Sequence, residues 1–347
     1  MKNGIYLVGI VGTGGMGRTH IEGWKKLPGV DIYGIADISK ESIENIKTKY
    51  DISFATSDYK NLIDIEEIDI IDVCTPNIFH CPIALDALKN KKHVICEKPL
   101  ATTSKDVEKM IQAAKENKKK LMAAQHHRFS FSGQMTKKLI DKGILGDIYF
   151  AECYAVRRRE VPTSQTFINK EFSGGGPMFD IGVHILDLVY WFMGCPPVHS
   201  VKGVIFNKLA GNRNITGAWG EWDRKRFNVE DFAAGFVLFQ DGRALHLTCS
   251  FLSNLPSNWS SNLYGTKAGI IWPEMKMFSE IEGLYNDSIL NPIVPDTEPP
   301  HHKEIKHFFE CVRDDKDVLV KPEESLRVIK MLEGMYVSAE KKKEVIY

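Results

Sequence analysis

Near its amino terminus the chain runs an apolar strand straight into a spaced set of glycines, Gly4-Ile5-Tyr6-Leu7-Val8-Gly9-Ile10-Val11-Gly12-Thr13-Gly14-Gly15-Met16-Gly17, and then into a helical pattern lasting to Leu27. Few folds accommodate that order. Gly12 permits a sharp backbone turn, Gly14 permits close approach of a pyrophosphate, and Gly17 lets the new helix lie tight against the strand. The helix opening at Gly15 and Met16 aims unpaired N–H groups and the positive end of its dipole at such an anion, so no basic side chain is required. Asp37, about twenty residues beyond Gly17 and closing a second strand (Asp31 to Ala36), puts a carboxylate where a ribose diol needs an acceptor. The expected occupant is a dinucleotide. The acid repels a 2′-phosphate, which favours NAD and leaves NADP as the alternative.

The next hundred residues repeat the alternation. Short apolar runs at Ile68 to Cys74, His93 to Cys96 and Leu121 to Ala124, the first two β-branched, are separated by helical stretches, of which Ser39 to Tyr50 and Ser104 to Asn117 open on serine, a preferred N-cap. This rhythm predicts a doubly wound parallel sheet. After a helix over Phe131 to Lys142 the pattern changes to longer strands: Ile148 to Val156, Val198 to Phe206, Phe232 to Phe239 and Ala244 to Phe251, the last two joined at Gln240-Asp241-Gly242. Polar or proline-rich loops are expected around Gly211 to Asn228 and Tyr285 to His301, and helices over Glu304 to Arg313 and Glu323 to Lys343. The fold class is therefore α/β: an N-terminal Rossmann domain over residues 1–125, and a C-terminal α+β domain over 126–347 with a large, mostly antiparallel sheet. A length of 347 residues suits two domains.

Composition removes several function classes. Lysine plus arginine equals aspartate plus glutamate at 45 each, so no net field attracts nucleic acid or an anionic membrane. A small-molecule partner is expected instead. The seven cysteines never form a C-x-x-C pair, which fits buried free thiols in a reducing compartment, and with no leader-like segment the expected location is cytoplasmic. No His/Cys cluster has metal-ligand spacing, and no metal is expected.

Ligands of open α/β sheets bind beyond the carboxyl ends of the strands. Three such ends stand out here: Thr75-Pro76-Asn77 with His80, then Glu97-Lys98-Pro99, then Gln125-His126-His127-Arg128. A charged Glu-Lys pair ending a buried strand is costly to place, and function is one way to explain it. A fourth constellation, Gly174-Gly175-Gly176-Pro177 leading to Asp180, His184 and Asp187, puts three polar residues at i, i+4 and i+7, on a helical stripe expected to face a cleft or water. An aspartate one turn from a histidine can orient the imidazole and raise its basicity, as a proton acceptor for a hydroxyl requires.

Together, Gly12-x-Gly14-x-x-Gly17, Glu97-Lys98-Pro99 and Asp180-x-x-x-His184 resemble the glucose-fructose oxidoreductase and inositol dehydrogenase family (Gfo/Idh/MocA) over nearly the whole chain. The resemblance implies NAD or NADP, oxidation of a sugar or cyclitol hydroxyl, and a homodimer or homotetramer formed through an open-faced sheet. It makes Lys98 and His184 the catalytic pair and Asp180 their substrate-binding companion, with a cis Lys98-Pro99 peptide. Glu97, Thr75, Pro76, Asn77 and His80 are expected to line the nicotinamide side of the cofactor site.

Blander roles compete. Arg128 either binds substrate or serves capping and inter-domain bonding; Arg157-Arg158-Arg159 either hold a substrate phosphate or carboxylate or form a solvated edge; Trp219 and Trp222 either stack on a sugar or pack in the core. Two other functions stay open on the sequence alone: a glycosidase using a transient redox step, and a dinucleotide-sensing regulator without catalysis.

Overall fold

The computed structural model describes residues 4–294 and 296–347. The chain divides into two compact units, the first running to Phe129 and resuming at Glu298–Leu326, the second comprising Ser130–Thr297 and Arg327–Tyr347. The single boundary expected after residue 125 is thus amended. The amphipathic segment 300–313 returns to the first unit because its apolar face packs there, with Ile305 filling the space left by Gly23.

In the first unit, β1 (Tyr6–Val11), α1 (Gly15–Trp24), β2 (Val30–Ala36), α2 (Lys40–Tyr50), β3 (Phe54–Thr56), α3 (Tyr59–Ile63), β4 (Ile70–Val73), α4 (His80–Lys89), β5 (His93–Glu97), α5 (Ser104–Glu116) and β6 (Leu121–Ala124) alternate. All six strands are parallel, in the order β3-β2-β1-β4-β5-β6. The order reverses direction between β1 and β4, the point at which such sheets open a crevice for a ligand. Ser39 caps α2 as expected, accepting from the Ser42 N–H at 3.2 Å. The α5 cap is one residue earlier than expected: Thr103 accepts from Asp106 N–H and donates back to its carboxylate, a reciprocal pair that Ser104 does not form there. Trp24, Ile10, Ile21 and Ile35 are completely buried, each contributing roughly 1.5–3 kcal/mol of burial free energy.

The second unit opens with α6 (Phe131–Asp141) and β7 (Ile148–Val156), followed by the single turns α7 (Gln165–Ile168) and α8 (Lys170–Ser173) and by α9 (Val183–Phe192). Seven strands follow: β8 (Val198–Phe206), β9 (Phe232–Phe239), β10 (Ala244–Ser250), β11 (Asn258–Gly265), β12 (Ala268–Trp272), β13 (Lys276–Ile281) and β14 (Leu284–Ile289). After α10 (Pro300–Arg313) and α11 (Pro322–Lys341), β15 (Val345–Ile346) completes a nine-stranded sheet, antiparallel except where β10 pairs with β7. One sheet face is buried through Ala151, Cys153, Val237, Leu247 and Cys249, while Phe236, Val204, Phe206 and Tyr264 on the opposite face stay exposed. Gly203 and Gly235 let Met335 of α11 lie directly on the covered face. The four strands from 258 to 289 were not expected, and the last of them replaces part of the proposed 285–301 loop; β13 and β14 are largely exposed, so they lack the apolar alternation that marks a strand. No helix among the described residues is long and apolar enough to cross a membrane.

Candidate active site

In the first unit the glycine turn has the shape that its sequence requires. Gly12 sits at φ +95°, and a Cβ there would lie 2.4 Å from the Cys74 carbonyl; at Gly17 it would lie 2.1 Å from the Gly12 carbonyl. Above Gly14 and Gly15 a Cβ would meet nothing within 4 Å, and no side chain caps α1. The turn is therefore tight below and open above, a cradle that fits the pyrophosphate of a dinucleotide. Asp37 is locked beside it, one carboxylate oxygen accepting from Thr13 N–H (2.7 Å) and Thr13 Oγ1 (2.8 Å), the other from Ser39 N–H (2.8 Å). Thr75 abuts Gly12 across the switch point, with Pro76 and with Asn77 in a short 3₁₀ turn immediately after it.

His80 and Glu97, expected against the nicotinamide, are turned inward instead. The His80 ring nitrogens lie 2.8 Å from the Pro99 and Thr75 carbonyls, which stitches the β4 and β5 loops together and leaves neither nitrogen for a ligand. Burial lowers its pKa, and the two carbonyls oppose the shift. Glu97 is 7% exposed; one carboxylate oxygen accepts from Lys98 N–H at 3.0 Å and the other stands 3.1 Å from His20 Nε2. Lys98, partly exposed, follows directly, and its peptide bond to Pro99 is cis, as the resemblance implies. Arg128 is likewise corrected: it is fully buried, and its guanidinium pairs with Glu324 at 2.5 Å and donates to the Leu319 carbonyl, so its charge is spent on the returning segment rather than on a substrate.

His126 stacks on His301, ring centroids 4.0 Å apart and 22° from parallel. Glu304 brings a third donor group within 4.8 Å, a cluster that the separation of these residues in the chain conceals. Stacked imidazoles send their in-plane lone pairs side by side rather than to one point, so we assign no ion to it.

In the second unit, Asp180 lies on a π-turn, Met178–Gly182, that precedes α9. Such turns break the 3.6-residue register and recur at functional positions. On this stripe Asp180 and His184 are each 8% exposed and Asp187 1%, and α9 packs against β7, β11 and α6. The Arg157 guanidinium reaches Asp180 Oδ2 at 3.5 Å and lies 4.4 Å from the ring centre of Trp219, which is 53% exposed. Trp222, by contrast, is a core residue donating to the Ala210 carbonyl. Arg159 is tied to the Ser253 and Arg158 carbonyls and to Asn254, leaving Arg158 as the exposed member of the triplet.

Sequence reasoning missed two anchors. Glu230, 5% exposed, accepts from Gly176 N–H (3.0 Å), Met178 N–H (3.3 Å) and Tyr336 Oη (2.6 Å), so it holds the glycine-rich lead-in to Asp180. Burial raises its pKa, and these donors oppose the shift. Asp231 accepts from the N–H groups of Lys208, Leu209 and Ala210 and orders the loop carrying the tryptophans. Glu230→Ala is expected to lower unfolding free energy by about 3 kcal/mol, since buried donors lose a charged acceptor; urea denaturation monitored by fluorescence checks it, and a loss below about 1 kcal/mol would contradict this reading.

A six-stranded sheet in 3-2-1-4-5-6 order, with an open glycine cradle and a carboxylate fixed beside it, defines a dinucleotide-binding protein of the Rossmann class. Residues 6–125 match the profile of an oxidoreductase family with an NAD-binding Rossmann fold (GFO_IDH_MocA), and residues 134–271 match the GFO/IDH/MocA C-terminal domain. The chain belongs to the GFO/IDH/MocA family. Over 336 residues it is 30% identical to D-glucoside 3-dehydrogenase of Escherichia coli, covering 96% of this chain and 95% of that one. Myo-inositol 2-dehydrogenase of Thermotoga maritima is 27% identical over 187 residues, 54% of each chain. Among solved structures, a levoglucosan dehydrogenase in complex with NADH superposes with TM-score 0.86 at 21% identity, covering 98% of both chains. The aldose-aldose oxidoreductase of Caulobacter crescentus, complexed with glycerol, gives 0.83 at 22% identity over 99% of this chain and 100% of that one.

Proposed function

We propose that this enzyme is an NAD-dependent dehydrogenase that oxidises a secondary hydroxyl of an uncharged sugar or glycoside. The observation that carries the reading is Lys98, presented at the carboxyl end of β5, two strands from the dinucleotide cradle in the sheet. Bound NAD supplies the hydride acceptor. Lys98 donates a hydrogen bond to the hydroxyl oxygen and steadies its developing charge, while His184 takes the proton. Asp180 grips a neighbouring hydroxyl, and Trp219 offers its exposed face to the sugar ring.

The choice of an uncharged substrate follows from the arginines. Arg157 already has a carboxylate partner and Arg159 has backbone acceptors, so neither is a ready-made phosphate clamp. The full-length likeness to a D-glucoside 3-dehydrogenase agrees with this. NAD is favoured over NADP because the Asp37 carboxylate is fixed in place and its neighbour Ile38, 92% exposed, offers no cation. In a panel of glucosides, free hexoses, cyclitols and hexose phosphates assayed for NADH formation at alkaline pH, glucosides are expected to turn over with kcat/KM at least tenfold above hexose 6-phosphates. Preferential turnover of the phosphates, or tighter binding of NADPH than NADH, would overturn the respective half of the assignment. No observation favours the glycosidase or the sensor.

The exposed Phe236, Val204, Phe206 and Tyr264 on the open sheet face suit self-association, as a homodimer or homotetramer, and sedimentation of the purified chain tests it. All seven cysteines are free, five of them buried, which suits a reducing cytoplasm.

A further inference from the structure

His20, on α1, is fully buried between two carboxylates that come from different strands. Its Nδ1 lies 2.9 Å from Asp72 Oδ2 on β4, an atom that also accepts from Trp24 Nε1 at 2.6 Å. Its Nε2 lies 3.1 Å from Glu97 Oε1 at the end of β5, as an ion pair rather than an aligned hydrogen bond. The other Glu97 oxygen holds Lys98 N–H. One side chain therefore joins the helix of the dinucleotide cradle to the residue preceding Lys98.

Burial and neighbouring charge act against each other throughout this pocket. Burial opposes a charge on His20, but Asp72 overcomes it, with Cys74 adding to the effect, and the pKa ends well above the ordinary imidazole value. Burial also opposes ionisation of Glu97, and His20 and then Lys98 reverse it. Glu304 on α10 is fully buried with no hydrogen-bond partner for either oxygen among the described residues, and burial, with Glu97 and Asp72, pushes its pKa far up against the opposing effect of His20. His20 is thus placed against both carboxylates, Asp72 at 2.9 Å and Glu97 at 3.1 Å.

We infer that His20 is a positioning residue for Lys98: by holding the Glu97 carboxylate against α1, it keeps that carboxylate from capturing the Lys98 ammonium beside it. Without the imidazolium, Glu97 is a buried anion whose nearest cation in sequence is Lys98, and an ammonium drawn into that pair is withdrawn from the substrate hydroxyl. Asp72 acts one step further back, fixing the ring and its charge, as the acid behind a catalytic histidine does.

This rests on the reading of Lys98 above, and the experiment separates the two. His20→Asn, His20→Ala, the double variant His20→Asn/Glu97→Gln and Lys98→Met are compared in the full chain by single-turnover hydride transfer and NADH titration. Expected are a 10- to 100-fold slower transfer in both His20 variants with NADH affinity within threefold of the parent, and recovery of at least fivefold when Glu97→Gln removes the stranded anion. A merely structural role for His20 would instead lower the melting temperature, restored in the double variant, without slowing single-turnover transfer in the folded protein. Transfer within threefold of the parent in His20→Asn, or no recovery in the double variant, overturns the inference while leaving Lys98 intact. Normal transfer in Lys98→Met overturns the Lys98 reading and the inference with it. Should His20→Ala fail to fold, the asparagine pair decides alone.

Discussion

Lys98→Met is expected to lower the rate of hydride transfer by about 10²- to 10⁴-fold, the range associated with losing a positioned donor and proton-transfer partner. Methionine keeps the length and apolar stem but cannot donate. The surroundings isolate that loss: the Lys98 N–H is held by Glu97 and the Pro99 carbonyl by His80, so the backbone of the loop is braced on both sides without the side chain. NADH affinity should stay within a few-fold and unfolding should shift little. Lys98→Arg should not rescue, because a planar guanidinium is larger and directs its donors as a fixed fork. Stopped-flow single turnovers with a substrate deuterated at the oxidised carbon provide the check. A variant that keeps more than a tenth of the parental transfer rate would remove Lys98 from the chemistry.

Gly17→Ala and Gly14→Ala should separate folding from binding. At Gly17 the added methyl would stand 2.1 Å from a backbone carbonyl that has no freedom to swing away, so α1 must lift from β1 or the turn must open. Either movement disperses the N–H groups that face the pyrophosphate. A loss of more than about 100-fold in NADH affinity is expected, with a stability cost of about 1–3 kcal/mol from overpacking. At Gly14, with φ −65° and ψ −162°, the methyl meets nothing within 4 Å, so the free protein should keep its melting temperature. Only the approach of the ligand is obstructed, and NADH affinity should drop by roughly tenfold, about 1.4 kcal/mol. Fluorescence titration and thermal melting read the two effects separately; equal behaviour of the two alanines would show that the turn is not the binding cradle.

Much of the fold was legible because its signals are local. The glycine spacing around residues 12 to 17 fixes a turn whatever the rest of the chain does, and the apolar runs Leu121–Ala124 and Ile148–Val156 are strands at the limits expected. The exposed hairpin of β13 and β14 was illegible for the converse reason: with little buried on either face, it carries no period to read. The candidate site was legible in part. Asp37 directly follows β2 and Lys98 directly follows β5, two strand ends legible in the sequence, whereas His80, Glu97 and Arg128 carry suitable chemistry but spend it on protein partners. Asp72 left a clue that went unread, a carboxylate inside Ile70-Ile71-Asp72-Val73, since an acid in a buried strand demands a partner.

From the sequence alone came the dinucleotide turn, the parallel alternation and the cofactor class, all of which depend on neighbours within a few residues. The tertiary structure alone decided which buried charges meet: His20 with Asp72 and Glu97, Arg128 with Glu324, Glu230 with the Gly176 backbone. Spacing along the chain records backbone geometry, but a buried charge is satisfied by whatever the fold brings within about 3 Å of it, and that choice belongs to the packed molecule.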